Sequence, residues 1–190
     1  MDALLALARR HGLRVIEDAA LVLGSRWEGA NIGALGDLVT FSFHPNKNIT
    51  SIEGGALVVN DAQEAARIDP LRFHGITWLP DRTRDVAFPG GKFNLPDVNA
   101  RIGIAQLARL PEFLAKRRAL VDLYFERFAT VPPCLLPPRP EYADGQSWNM
   151  WSVLLPLSRM TLSRQAFRDA MDARGIGTGV VIMDNGTILT

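Results

Sequence analysis

Apolar residues recur along this chain in short blocks that switch between helical and strand-like spacing, the pattern of an α/β fold. The first segment reads as an amphipathic helix, with Asp2 as N-cap, Leu4, Leu5 and Leu7 apolar, Arg9 and Arg10 in the last turn and Gly12 just past the end. Leu13 to Ile16 is short and β-prone and runs into Glu17-Asp18, which places two carboxylates at the C-terminal edge of a strand. In parallel α/β sheets that edge is where ligands bind. A turn-rich passage with Gly29, Gly33 and Gly36 precedes the next strand, Leu38 to Phe43, which Pro45 ends. Glu53-Gly54-Gly55 then turns the chain into a strand at Ala56 to Val59, and Asp61 with Glu64 offers a capping box for a helix through Ile68.

Residues 75–97 show no period, and so long a loop inside a compact chain is usually functional or an interface element. Asp97 to Ala129 is helical, with Pro111 forcing a kink or a new start. The proline-rich passage Val131 to Pro140 is the clearest boundary, Trp151 to Leu157 begins a second strand-like unit, and Ser163 to Arg174 is a helix capped by Gly175. Gly179 to Met183 reads as a last strand leading into the turn Asp184-Asn185-Gly186.

Composition narrows the function classes. The 190 residues are 47% hydrophobic and 22% charged, as a globular chain requires, and the net charge of +1 gives no electrostatic case for nucleic acid or an anionic membrane as partner. The run Lys116-Arg117-Arg118 reads as a solvated helix face. One cysteine, Cys134, excludes an intramolecular disulfide framework. No apolar stretch reaches the roughly 20 residues that cross a bilayer. The first twelve residues lack the charge order of an export signal, so the expected location is the cytoplasm.

The candidate chemistry centres on Lys47, in a loop directly after a strand and flanked by His44, Asn46, Asn48 and Thr50. A partly desolvated amine there can lose its proton and bond a carbonyl carbon, although a loop lysine is ordinarily a solvated charge. Asp18 changes the picture. A carboxylate at one strand end and a lysine after another can grip opposite ends of pyridoxal phosphate (PLP), the lysine holding its aldehyde and the aspartate keeping its ring nitrogen protonated. Ser42 could offer a hydroxyl to the phosphate, or could be a satisfied buried serine. His44 either orients the loop, touches the substrate or is structural; His74 reads as structural. Neither histidine has the company of a metal site, so none is expected.

Five stretches carry a resemblance: Val15-Ile16-Glu17-Asp18-Ala19-Ala20, Gly33 to Asp37 (GALGD), Phe41 to Gly55 (FSFHPNKNITSIEGG), Arg72-Phe73-His74-Gly75, and Asn94 to Leu107 (NLPDVNARIGIAQL). In order and spacing they resemble the DegT/DnrJ/EryC1/StrS family of sugar aminotransferases. The resemblance implies the PLP-dependent fold type I (aspartate aminotransferase-like), with residues 1–110 as part of the large cofactor-binding domain and residues 111–190 as a truncated, small C-terminal α+β domain. It implies that Lys47 is the catalytic lysine, that Asp18 holds the pyridine nitrogen, and that Ser42 holds phosphate. Lys92, with Asn94 as second choice, falls where the family supplies a polar residue to the phosphate of a neighbouring subunit, while a plain surface lysine is the ordinary reading of Lys92. The implied partners are a nucleotide-linked keto sugar, an amino acid such as glutamate, and a second copy in a homodimer. Lysine at position 47 argues for transamination over the dehydratase relatives, which place histidine there.

Two departures stand out. Leu21 occupies a position where the family places Gln or His, and loss of that hydrogen bond to the cofactor costs about 1–3 kcal/mol. The family's chains are also considerably longer, and Val181 to Thr190 does not resemble them, so the expectation is a fragment. The alternative function is accordingly a catalytically silent chain or a non-catalytic partner subunit.

Overall fold

The computed structural model describes residues 1–130 and 145–180. The proline-rich passage with Cys134, most of the expected last strand and the turn at residues 184–186 lie outside the described residues. The chain forms two compact units, one of residues 1–118 with 145–149, the other of residues 119–130 with 150–180.

In the first unit, α1 (Asp2–Arg10) forms where the pattern placed it, but Asp2 is not its cap. Met1 holds that position with no side-chain bond, and the Asp2 carboxylate instead accepts the indole N–H of Trp27 at 2.9 Å. That bond holds the carboxyl below the ordinary aspartate range. The first strand, β1 (Ile16–Asp18), is shifted toward the carboxylates relative to the expected Leu13 to Ile16. Its register explains the shift: β1 pairs in parallel with β4 (Leu38–Ser42) only from Ile16↔Leu38 to Asp18↔Thr40.

A short hairpin, β2 (Arg26–Trp27) and β3 (Ala30–Asn31), occupies the passage read only as turns. Glu28 and Gly29 at its tip both have positive φ, the backbone of a type I′ turn that suits the twist of paired strands. β5 (Gly55–Val59) runs antiparallel to β4, closing on the pair Ser42↔Gly55. The sheet is thus three strands in the order β1-β4-β5, with the middle strand the best buried; Val39 is wholly inaccessible while Ile16 and Leu57 on the outer strands are exposed.

The helix α2 (Ala62–Leu71) starts as the capping pattern predicts, Asp61 accepting the Glu64 N–H at 2.7 Å. Glu64 does not complete the box. Its carboxylate takes both terminal nitrogens of Arg14, at 2.6 and 2.8 Å, which ties α2 to the residues just before β1. The Arg14 guanidinium holds the Glu64 carboxyl below the ordinary glutamate range, chiefly through this hydrogen bond. A carboxyl depressed in the folded state adds stability above its unfolded pKa and loses it as pH falls through the folded value. Glu64→Gln is therefore expected to flatten the acid side of the melting-temperature profile, and the native profile should flatten too in high salt, since the pair is exposed.

Residues 75–97 are not a plain loop: β6 (Ile76–Trp78) and β7 (Arg84–Val86) form a second hairpin, with Arg84 4.4 Å from the Trp78 ring centre. Three-residue strands are too short to show a period. The expected long helix is two, α3 (Asp97–Ala108) and α4 (Leu110–Phe128), separated at Arg109, so Pro111 marks a new start rather than a kink.

In the second unit, Tyr124, Phe128 and Trp151 stack, with Trp151 centred 4.3 Å from Tyr124 and 5.8 Å from Phe128. Residues 151–157 form no strand; the apolar run that suggested one passes through Pro156 into a single 3-10 turn, Leu157–Arg159. α5 (Arg164–Asp172) is capped by Ser163, whose hydroxyl accepts the Ala166 N–H at 3.1 Å.

Candidate functional site

Side chains of paired residues on neighbouring strands point to the same sheet face, as do residues two apart on one strand. Asp18 pairs with Thr40, and Ser42 lies two residues beyond Thr40. Asp18 and Ser42 therefore share a face and both sit at the C-terminal ends of their parallel strands. Asp18 is exposed; its Oδ1 accepts the Ala20 N–H at 3.0 Å, and its Oδ2 has no partner among the described residues. Ser42 Oγ accepts the His44 N–H at 3.4 Å, which leaves the hydroxyl hydrogen to donate elsewhere.

Lys47 lies in the loop of residues 43–54 that joins β4 to β5. The loop is held by its own bonds: Phe43 N–H donates to Gly54 O at 2.8 Å, Ser51 N–H to Phe43 O at 3.0 Å, and Lys47 N–H to His44 O at 3.0 Å. Its first residues, His44 to Asn46, are exposed, whereas Asn48, Ile49 and Ser51 are 6%, 4% and 0% accessible. Lys47 stands at the border of these two halves, half-buried. Ile52 has φ +74, a conformation costly for a β-branched side chain, so the loop carries backbone strain of about 1–3 kcal/mol close to the lysine.

The chain holds three lysines, Lys47, Lys92 and Lys116. Lys116 is paired with Glu112 at 2.6 Å, and Lys92 donates to Asn94. Only the Lys47 ammonium has no hydrogen-bond or ion-pair partner among the described residues. An unpaired, half-buried amine, a carboxylate with one open oxygen and a hydroxyl with a free hydrogen form a donor and acceptor set that fits PLP.

The loop also reaches the segment after β1. The Asn48 side-chain amide donates to Leu23 O at 2.7 Å, five residues past Asp18, so the flank of Lys47 is fastened to the flank of Asp18. Asn48 was visible in the sequence only as a neighbour of the lysine; its partner lies 25 positions away, and no local signal announces it. His44 is held by Asn46, with Nδ1 and Oδ1 2.8 Å apart, and its Nε2 lies 3.9 Å from the Glu53 carboxylate, which braces the exposed half of the loop.

Lys92 and Asn94 are brought to each other, with the Lys92 ammonium 4.4 Å from the Phe73 ring centre. No hydrogen bond, ion pair or ring contact joins them to Asp18, Ser42 or Lys47. A cavity of about 700 Å³ lies on the opposite sheet face, lined by Phe41, Val58, Leu107 and Leu114. It belongs to a different surface from the polar strand ends. Among the described residues no group of three or more His, Cys, Asp or Glu side chains could hold a metal ion. No described helix is long and apolar enough to cross a membrane.

Comparison with known proteins gives this geometry a context. The chain is similar in structure to Helicobacter pylori PseC, an aminotransferase involved in the biosynthesis of pseudoaminic acid, with a TM-score of 0.82 and 25% identity over 92% of this chain and 46% of that one. It is similar to DesI, solved in the presence of its TDP-sugar product, with a TM-score of 0.80 and 30% identity over 93% of this chain and 44% of that one. The PLP form of Spr1654 from Streptococcus pneumoniae gives a TM-score of 0.76 and 27% identity over 88% of this chain and 43% of that one. The chain thus spans just under half the length of each. These likenesses bear out the α/β, fold type I architecture expected from the sequence. The sequence profile of the DegT/DnrJ/EryC1/StrS aminotransferase family matches residues 1–185, and the chain belongs to that family.

Proposed function

We propose that this chain contributes the lysine side of a PLP-dependent aminotransferase site, which moves an amino group from an amino acid such as glutamate to a nucleotide-linked keto sugar. The observation that carries the reading is that Lys47, the lysine without a partner among the described residues, sits in a loop fastened beside a strand-end carboxylate and hydroxyl. PLP supplies an aldehyde that amines can bond and a ring that accepts electrons. Lys47 Nζ would be the amine that holds its aldehyde, and the same nitrogen would take the substrate's α-proton and return it. Asp18 would accept from the ring nitrogen and keep it protonated, and Ser42 Oγ would donate to the phosphate. The Leu21 side chain offers no hydrogen-bond donor, so it would leave the cofactor without the bond that Gln or His supplies in the family.

The PLP form of Spr1654 and the TDP-sugar product of DesI support the cofactor and the substrate class. Residues 1–110 are assigned to the cofactor-binding domain and residues 111–190 to the small domain. In a homodimer Lys92, or Asn94 as second choice, would serve the phosphate of the neighbouring copy. A non-catalytic partner chain is the second reading, favoured by Leu21.

Borohydride reduction in the presence of PLP followed by peptide mapping separates the two. The catalytic reading expects the stable label on Lys47, ahead of Lys92 and Lys116. Label confined to the other two lysines, or none, leaves only the silent chain.

A further inference from the structure

We infer that Asn48 is the positioning residue for Lys47, setting where the lysine stands relative to Asp18. The inference rests on the role given to Lys47 above. Three observations carry it. The Asn48 carboxamide is buried, 6% accessible, although it adjoins a loop half that is open to solvent. Its Nδ2 donates to Leu23 O at 2.7 Å, while Asp18 Oδ1 accepts the N–H of Ala20 at the other end of the same short segment. Its Oδ1 is buried with no hydrogen-bond partner among the described residues. A buried amide that leaves one of its atoms unsatisfied is held there by the bond it does make.

The geometry gives the bond a specific effect. Ala19 N–H donates to Thr40 O at 2.9 Å, so the segment after β1 is continuous with the sheet that carries Asp18. Among the described residues, the rest of the Lys47 loop is hydrogen-bonded to itself, to Phe43 and Gly54 at its own base, to Ser42 Oγ through the His44 N–H, and through Glu53 O to Asn99. The Asn48–Leu23 bond is thus the described side-chain link from the lysine's neighbour to the Asp18 strand. Without it the amine and the carboxylate are still present, but their separation is no longer fixed, and misplacement by about 1 Å can cost a hundredfold in rate.

Asn48→Asp removes the donor and sets a carboxylate against the Leu23 carbonyl. Asn48→Ser, too short to reach it, adds no buried charge and decides the matter if the first variant does not fold. Asn60→Ala is the control, because Asn60 makes the same amide-to-carbonyl bond, to Gly36 O, at the far end of the sheet. Two readouts are taken on the full chain: the rate at which Lys47 is trapped by PLP and borohydride, and, without PLP, hydrogen exchange at the Lys47 N–H. Trapping is expected to slow about tenfold or more in the Asn48 variants, with faster exchange at Lys47, and to match the native chain in Asn60→Ala. Native trapping and native exchange in an Asn48 variant would overturn the inference. Failure of the native chain to be labelled at Lys47 defeats the assignment of the lysine instead, and the exchange measurement still judges the tether.

Discussion

Lys47→Ala abolishes covalent capture of PLP and leaves the melting temperature where it was. Both halves of this expected result come from one observation, that the Lys47 ammonium has no partner among the described residues. Removing it breaks no bond, so stability should stay within about 0.5 kcal/mol of the native value, as for substitutions away from structural features. Removing it also deletes the nitrogen assigned to carry the proton, which alone is worth about 10²–10⁴-fold in rate. The check is the visible absorbance of the PLP-treated chain, single-turnover amino transfer from glutamate, and a thermal melt of native and variant chains without PLP, where no ligand biases the comparison. A lysine-independent band would remove Lys47 from the chemistry. A collapsed melt would show that the amine is structural.

The second large effect concerns the backbone. Gly75→Ala is expected to lower the melting temperature by about 10 °C, from a loss of about 3 kcal/mol at the rate usual for a chain of this size. Gly75 has φ +68, and a Cβ placed on it would lie 1.8 Å from the carbonyl oxygen of Phe88. The conformation costs an alanine about 1–3 kcal/mol. The overlap adds to this, because the obstacle is backbone and Gly75 is itself anchored, its N–H to Pro70 O at 2.9 Å and its carbonyl to Ala87 at 3.0 Å. Gly12 provides the comparison: its φ is +62, yet nothing lies within 4 Å of its added Cβ. Gly12→Ala therefore reports the conformational cost alone. Equal melting shifts in the two variants would mean that Phe88 yields without cost.

What could be read from the sequence, and what could not, follows from the range of the interactions involved. Asp18 and Ser42 were legible because each ends a β-prone run, and a strand end is a local feature. The direction of β5 was not, since Ala56 to Val59 reads the same whether it pairs parallel or antiparallel; the Ser42↔Gly55 closure decides it. Pro111 advertised a break between α3 and α4 but left open its kind. Both hairpins were hidden because two- and three-residue strands leave no periodic trace. The Asp2 cap failed to form because Trp27, distant in sequence, competed for the same carboxylate. Asn48 shows the same limit at the site itself, for residue type and neighbourhood gave no hint of the carbonyl it reaches.

Because β5 returns beside β4 on the rung Ser42↔Gly55, the lysine loop leaves and re-enters the sheet through one narrow gate. Such a hoop can be lengthened, shortened or tilted with its feet unmoved. Chemical reach can thus be retuned within residues 43–54 while the scaffold below keeps its shape.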